Sequence, residues 1–382
     1  MSDARSKIAP VSASSEVVVI GSGIVGCAVA YELGRRGAAV TVVDDRKPGA
    51  GATQASAGML APYNEADEEG PHLEVTTRGL DVFDGFMSAV TSDSGQTVKY
   101  RRTGTITLAF DEASLGRLRH IAALTKARGA AAELLDPDGI RREEPAASPA
   151  AIGALLVPQH GYVAASELTA ALVVAAQRHG VRFLDRPRAH SIRQDGETVV
   201  LTSASGIMTA RHVVLAAGSW AGQIAVDGAQ AAPPVHPVRG QLLHLRATAE
   251  NLRRVMWSDR CYLVPWDDGS LLVGATVEHV GFDERTTVEG MRDLFAGVAA
   301  ALRAGWPASV VSVRAGLRPA TPDGLPIVGR SAAVPGLIYA IGHYRNGVLL
   351  SPLTAGLVAD TILENRVDPV MSIISPARFG LL

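Results

Sequence analysis

Lysine is nearly missing from this chain of 382 residues: Lys7, Lys47, Lys99 and Lys126 are the only four among 36 lysines and arginines. Arginine supplies the rest, which reads as the compositional habit of an alanine-rich sequence and not as a site. Neither sign of charge predominates, since 38 Asp and Glu leave a formal net charge of -2. That balance removes the electrostatic case for nucleic acid or an anionic membrane as a partner. Cysteine is scarcer still, with only Cys27 and Cys261. One falls in a predicted helix and one at a predicted strand, which suits neither a disulfide framework nor a metal centre. Residues 1–15 are polar and lack the apolar centre of a signal peptide, and no apolar run reaches spanning length. A cytoplasmic chain with a frayed N-terminus and no integral membrane segment is expected. Internal repeats and low-complexity segments are missing too.

What is present is organised around residues 16–45. Val17-Val18-Val19-Ile20 reads as a strand buried on both faces, and Gly21-Ser22-Gly23-Ile24-Val25-Gly26 as a glycine turn. Cys27 to Arg36 is a helix, and Ala39 to Val43 a second strand closed by Asp44. Gly21 permits the tight turn, Gly23 close approach of a pyrophosphate, and Gly26 close packing of helix on strand. The free N–H groups of Ile24 and Val25 then face the phosphates. Asp44 stands about 20 residues on, where a carboxylate accepts from a ribose. Asp45 and Arg46 adjoin it. An acid here favours FAD or NAD over NADP.

Gly49 to Leu60 is dense in small residues, including Ala57, Gly58 and Met59. It suits either a backbone lying flat on a ligand or a flexible linker; the following Met59-Leu60-Ala61-Pro62 speaks against the linker. Helical spacing covers Leu73 to Ala89 and Ala113 to Arg128, and Ser166, as a cap, opens a helix to His179. Asp136-Pro137-Asp138-Gly139 is turn chemistry, and Arg141 to Pro149 a polar connection suited to a domain crossing. Val213 to Ala216 runs as a buried strand into Ala217-Gly218-Ser219-Trp220, either a return to the cofactor edge or a plain strand end. Beyond Pro233-Pro234, Gly240 to Leu245, Cys261 to Pro265 and Leu271 to Val277 read as an antiparallel sheet with a hairpin at Asp268-Gly269, then a helix from Val288 to Leu302. The fold class expected is α/β: a discontinuous doubly wound domain (1–90, 151–230 and 311–382) with an inserted α+β antiparallel-sheet domain (91–150 and 231–310).

Two late segments carry chemistry. In Gly316-Leu317-Arg318-Pro319 the guanidinium suits bidentate capture of a carboxylate, although a lone arginine is as well read as a surface charge. In Gly342-His343-Tyr344-Arg345-Asn346-Gly347-Val348-Leu349 a buried strand enters a turn and a helix. That helix start would stabilise negative charge on a reduced flavin, which favours FAD over NAD.

From about Val17 to Asn365 the chain resembles the D-amino-acid-oxidase superfamily of flavoproteins, most closely its glycine oxidase, thiazole-biosynthesis branch. The resemblance rests on the dinucleotide turn, Ala57-Gly58-Met59-Leu60, Arg101-Arg102-Thr103-Gly104, Ala216-Ala217-Gly218-Ser219-Trp220, Cys261-Tyr262-Leu263-Val264-Pro265 and the two late segments. It implies non-covalent FAD, no cysteine lying near Arg318 in the sequence. Arg318 would clamp the substrate carboxylate, the Tyr262 hydroxyl would donate to it, and Arg345 would line the site. His343, Asn346, Gly347, Val348 and Leu349 would form the turn at the flavin edge. Arg188 falls where a small apolar residue contacts the adenosine half, and its backbone is expected to do so. Tyr63 or Asn64 would reach the substrate side chain. Tyr262 is open to a second reading, a tyrosine bonded within the core.

The activity implied is oxidation of the Cα–N bond of glycine, a small D-amino acid or an N-methyl amino acid. Hydride moves to flavin N5, the imino acid hydrolyses to keto acid and ammonia, and oxygen reoxidises the flavin to give hydrogen peroxide. A D-amino-acid dehydrogenase passing electrons to a quinone, a non-catalytic flavin subunit and an NAD dehydrogenase are the competing readings. The partners expected are a small amino acid and further copies of the chain.

Overall fold

Four β-branched residues in succession leave the first strand without a polar face, and Val17, Val18 and Val19 are fully buried. This strand, Ser15–Ile20, lies between Val40–Asp44 and the last residues of Gly206–Leu215, parallel to both. The structure, a computed structural model, describes residues 15–65, 69–247 and 252–382. Of the stretch 1–15 expected to fray, residues 1–14 lie outside them, and Ser15 opens the first strand. Arg182–Asp185 extends the parallel sheet on one side and Leu337–Ile341 on the other. Gly206–Leu215 serves twice: its first half pairs antiparallel with Thr198–Ser203, which forms a hairpin with Ala189–Asp195 through Asp195-Gly196.

Helices Ile24–Arg35, Ala165–Arg178 and Gly347–Ala359 cover one face of this nine-stranded sheet, in the largest apolar cluster. The hairpin and the C-terminal Leu382 cover the other. Residues Gly347–Glu364 are apolar and long enough to cross a membrane, but 67% of that run is buried inside the protein. It is a core helix, packed on the first one.

The second sheet has eight strands in the spatial order Ala308–Ala320, His236–Ala247, Ser270–Gly274, Tyr262–Pro265, Val255–Trp257, Thr105–Ala109, Gly153–Val157 and Glu133–Leu135. All pairs are antiparallel except Val255–Trp257 with Thr105–Ala109. A three-stranded sheet, Met59–Leu60, Gly161–Val163 and Tyr100–Arg101, joins the two halves.

Several local readings change. Residues 153–157 and 311–320, grouped above with the nucleotide-binding pieces, pair within the second sheet. Arg141 to Pro149 makes no crossing: the Ser148 N–H bonds to the Ala301 carbonyl at 2.8 Å and the Ile152 N–H to that of Ala109 at 2.9 Å. Asp136 accepts from the Gly139 N–H at 2.7 Å and caps the helix Pro137–Glu143, so these residues start a helix where a turn is read from sequence. Ser166 does not cap its helix, which starts at Ala165 after an Ala164 that offers no side-chain acceptor.

Candidate active site

A cavity of about 350 Å³ runs from the first glycine turn to the inner face of the second sheet. At the first end the glycines divide by role. Gly21 has φ +107°, and a Cβ there would sit 2.4 Å from the Ala216 carbonyl oxygen. A Cβ on Gly26 would sit 2.0 Å from the Gly21 oxygen, so both are held by packing. Around Gly23 the nearest atom to such a Cβ is Thr53 Oγ1 at 3.7 Å, which leaves room above the turn for a ligand. Gly23 offers the helix no side-chain cap, and Thr53 Oγ1 accepts from the Ile24 N–H at 3.1 Å. The N–H groups of Val25 and Gly26 belong to the first turn, have no intrahelical acceptor and suit a phosphate. Asp44 is oriented by the Ser22 N–H at 2.6 Å, the Ser22 hydroxyl at 2.7 Å and the Arg46 N–H at 3.0 Å. A carboxylate so held keeps acceptor capacity for a ribose.

Beyond Asp44 the wall is made of side chains. The Arg46 guanidinium lies 4.2 Å from the Trp220 ring centre and that of Arg188 5.1 Å from it. Arg46 is paired with Glu284 at 2.9 Å and Arg188 with Asp45 at 2.9 Å. The Arg188 guanidinium therefore lies at this wall, where the indole face gives a cation a place to rest. Gly58, with φ +68°, is pinned so closely that a Cβ would lie 1.8 Å from the Val163 oxygen. The stretch Ala57-Gly58-Met59 is thus fixed wall, not linker. Ala217 and Gly218 also line the cavity.

The C-terminal turn brings a second helix start to the same space. Gly342 has φ +75° and Tyr344 φ +45°, and the Tyr344 N–H bonds to the Pro319 carbonyl at 2.9 Å. Asn346, Gly347 and Val348 line the cavity. Leu349 does not: it is 1% exposed in the core, and Gly26 also lies behind the wall. The His343 ring is committed to Thr354 Oγ1 at 2.9 Å, and burial pushes its pKa down to about 4. It is neutral at ordinary pH and has no charge to offer.

At the far end the sheet is paved with glycine. Strand pairing sets Gly274 opposite both Leu242 and Tyr262, and Gly240 opposite Gly316, so Gly240, Gly274, Tyr262 and Arg318 share one face. A Cβ on Gly240 would meet the Arg318 guanidinium at 2.2 Å, and one on Gly274 the Tyr262 hydroxyl at 2.4 Å. Both side chains lie flat on these bare positions. Arg318 Nη1 donates to the Thr276 carbonyl at 2.9 Å and the Arg239 carbonyl at 3.4 Å. Among the described residues it makes no ion pair. Burial raises the pKa of the Tyr262 hydroxyl, against a downward pull from Arg318, so the group stays protonated and able to donate. Arg345, which also lines the cavity, is paired with Glu65 at 3.2 Å.

Sequence reasoning overlooks Glu65, Thr53, Gly240, Gly274 and Thr276. Tyr63 is buried against His160, with ring centres 5.6 Å apart, and the Asn64 amide donates to Thr107 Oγ1 at 3.1 Å. Neither lines the cavity; the short helix Pro62–Glu65 presents Glu65 there instead. Cys261 does reach the wall, yet its thiol packs toward Gly297 and burial raises its pKa to about 11. A protonated thiol is a poor nucleophile for a flavin. An open glycine cradle, a helix start with the Val25 and Gly26 N–H groups left over, an oriented acid and a second helix start together fit an elongated dinucleotide such as FAD.

Comparison with known proteins gives the same reading. Residues 16–361 match the family described as FAD dependent oxidoreductase. A glycine oxidase of Bacillus licheniformis is 31% identical over 92% of this chain and 94% of its own length. The bifunctional protein ThiO/ThiG of a Nostoc species is 34% identical over 94% of this chain, which spans 54% of that protein. The crystal structure of glycine oxidase from Geobacillus kaustophilus superposes with a TM-score of 0.88 at 30% identity, covering 97% of this chain and 98% of that one. The chain is an enzyme of the FAD dependent oxidoreductase family, with FAD as its cofactor and glycine oxidases among its relatives.

Proposed function

We propose that this enzyme oxidises the Cα–N bond of glycine, sarcosine or a small D-amino acid. The products are the keto acid and ammonia, or methylamine from an N-methyl substrate. One observation carries the reading: the half-buried Arg318 guanidinium has no carboxylate partner among the described residues. A cation so placed, beside a tyrosine hydroxyl, calls for an anionic ligand in the cavity.

Arg318 would take the two carboxylate oxygens of the substrate and Tyr262 would donate a further hydrogen bond. The Thr276 and Arg239 carbonyls fix the guanidinium in direction, so the substrate's Cα is presented at a constant height above the glycine floor. When bound, FAD supplies the hydride acceptor, and its reoxidation by oxygen yields hydrogen peroxide. The chain needs no side-chain base: the amine must only enter neutral, and desolvation in the cavity favours that form. Positioning of this kind offsets on the order of 7–11 kcal/mol of a barrier. Cytoplasmic location, a homo-oligomeric state and a place in thiazole biosynthesis belong to the same proposal.

Anaerobic addition of glycine, sarcosine and D-alanine should bleach the flavin. If none does, the proposal fails. Admitting oxygen or a dye acceptor afterwards distinguishes an oxidase from a dehydrogenase feeding a quinone. The second is kept because none of the four lysines lies in a flavin motif to activate oxygen.

A further inference from the structure

Two guanidiniums face the substrate end of the cavity, and they are treated differently. Arg318 is left without a counter-charge among the described residues, while Arg345 is held by Glu65 through Nη1 and Oε1 at 3.2 Å. The Glu65 side chain is 19% exposed against 41% for Arg345, so the carboxylate is the more enclosed partner. Its other oxygen accepts from the Asn346 amide at 3.3 Å, and that amide nitrogen lies 3.2 Å from His72 Nε2. Buried Pro62 and Tyr63 anchor the short helix that delivers it. Both arginines, Glu65 and Tyr262 line the same cavity.

Arg318, Arg345 and Glu65 together sum to a single positive charge, which matches one substrate carboxylate. We propose that Glu65 sets the charge of the substrate: by holding Arg345 it cancels the second guanidinium, so the site takes monocarboxylates and turns away ligands with a second anionic group. A second anion placed beside Glu65 would be desolvated against a carboxylate whose neighbouring guanidinium is already taken, a penalty that discriminates without any added attraction for the preferred ligand. The inference deepens the amino-acid reading above and rests on it for the identity of the Arg318 ligand.

Glu65→Gln keeps the shape and removes the charge. Acetate and malonate, followed by their perturbation of the flavin absorbance, test binding without turnover. In the E65Q holoenzyme the affinity for malonate relative to acetate should rise about tenfold, the scale of one freed, partly exposed guanidinium. E65A should behave likewise, which guards against a special effect of the amide. In the double variant E65Q/R345M the gain should disappear. An unchanged ratio in E65Q and E65A overturns the inference, and so does a gain that survives loss of Arg345. Glycine and iminodiacetate, compared by anaerobic flavin reduction, should show the same shift. Should no amino acid reduce the wild-type flavin, the catalytic reading falls, while the malonate titration still decides the role of Glu65.

Discussion

The two ends of the cavity are built on different principles. The phosphate cradle of the nucleotide end is made by backbone: one turn of six residues and the helix start behind it, closed by a carboxylate at the next strand end, all within thirty residues of chain. The substrate end is made by side chains from strands distant in sequence, Tyr262 and Arg318, seated on glycines of two others, Gly274 and Gly240. A backbone site is spoiled by adding atoms, a side-chain site by removing them. The contrast is open to measurement.

The largest effect should come from Gly26→Ala. Its new carbon would stand 2.0 Å from the Gly21 carbonyl oxygen, a contact that no rotamer relieves. Loss of bound flavin is expected, with destabilisation of roughly 1–3 kcal/mol or more, read as flavin absorbance and Tm. Arg318→Ala should leave the flavin in place and lower kcat/KM on the order of 10²–10⁴-fold, from two charge-assisted hydrogen bonds of about 1.5–3 kcal/mol each. Gly240→Ala blurs the distinction usefully, because it adds an atom at the side-chain end. By displacing the guanidinium it should cost about 10²-fold in kcat/KM with flavin content unchanged, and wild-type kinetics would mean the clamp does not lie on this floor. Tyr262→Phe removes one neutral donor, so a rise in KM of about fivefold is expected, with kcat little altered.

The smallest effect concerns acid stability, and both ends share it. Burial lowers the pKa of His343 to about 4 and that of His160, behind Tyr63, to about 3, from an ordinary 6.5. The unfolded chain takes up these protons near 6.5 and the folded one does not. The stability they contribute is therefore complete above pH 6.5 and is lost as pH falls toward 4 and 3. Tm should decline across that window, and less steeply in His160→Gln.

The same contrast explains what was legible in the sequence. The backbone end is contiguous, so glycine spacing, the buried strand and Asp44 disclosed it together. At the other end the resemblance supplied Tyr262, Arg318 and Arg345, but only strand register brings Gly240 under one and Gly274 under another. Those glycines interrupt apolar strands, which is the one signal that could mark them, since a bare position within a strand implies something lying on it. The sequence points to Tyr63 and Asn64 and not to Glu65 because the short helix Pro62–Glu65 has no periodicity long enough to tell which residue faces inward. Asp136 reads as a turn because the same residues serve a turn and a helix N-cap. The second role of Gly206–Leu215 and, separately, the place of 153–157 and 311–320 in the second sheet depend on pairing partners that local pattern does not encode.

A glycine floor also limits how this pocket can change. Nothing larger fits beneath the anchoring groups without lifting them, so any new substrate has to be accommodated from the rim, where Glu65, Trp257 and Arg260 approach the cavity. Diversification by mutation should therefore leave the bottom of the pocket untouched and rewrite its edge.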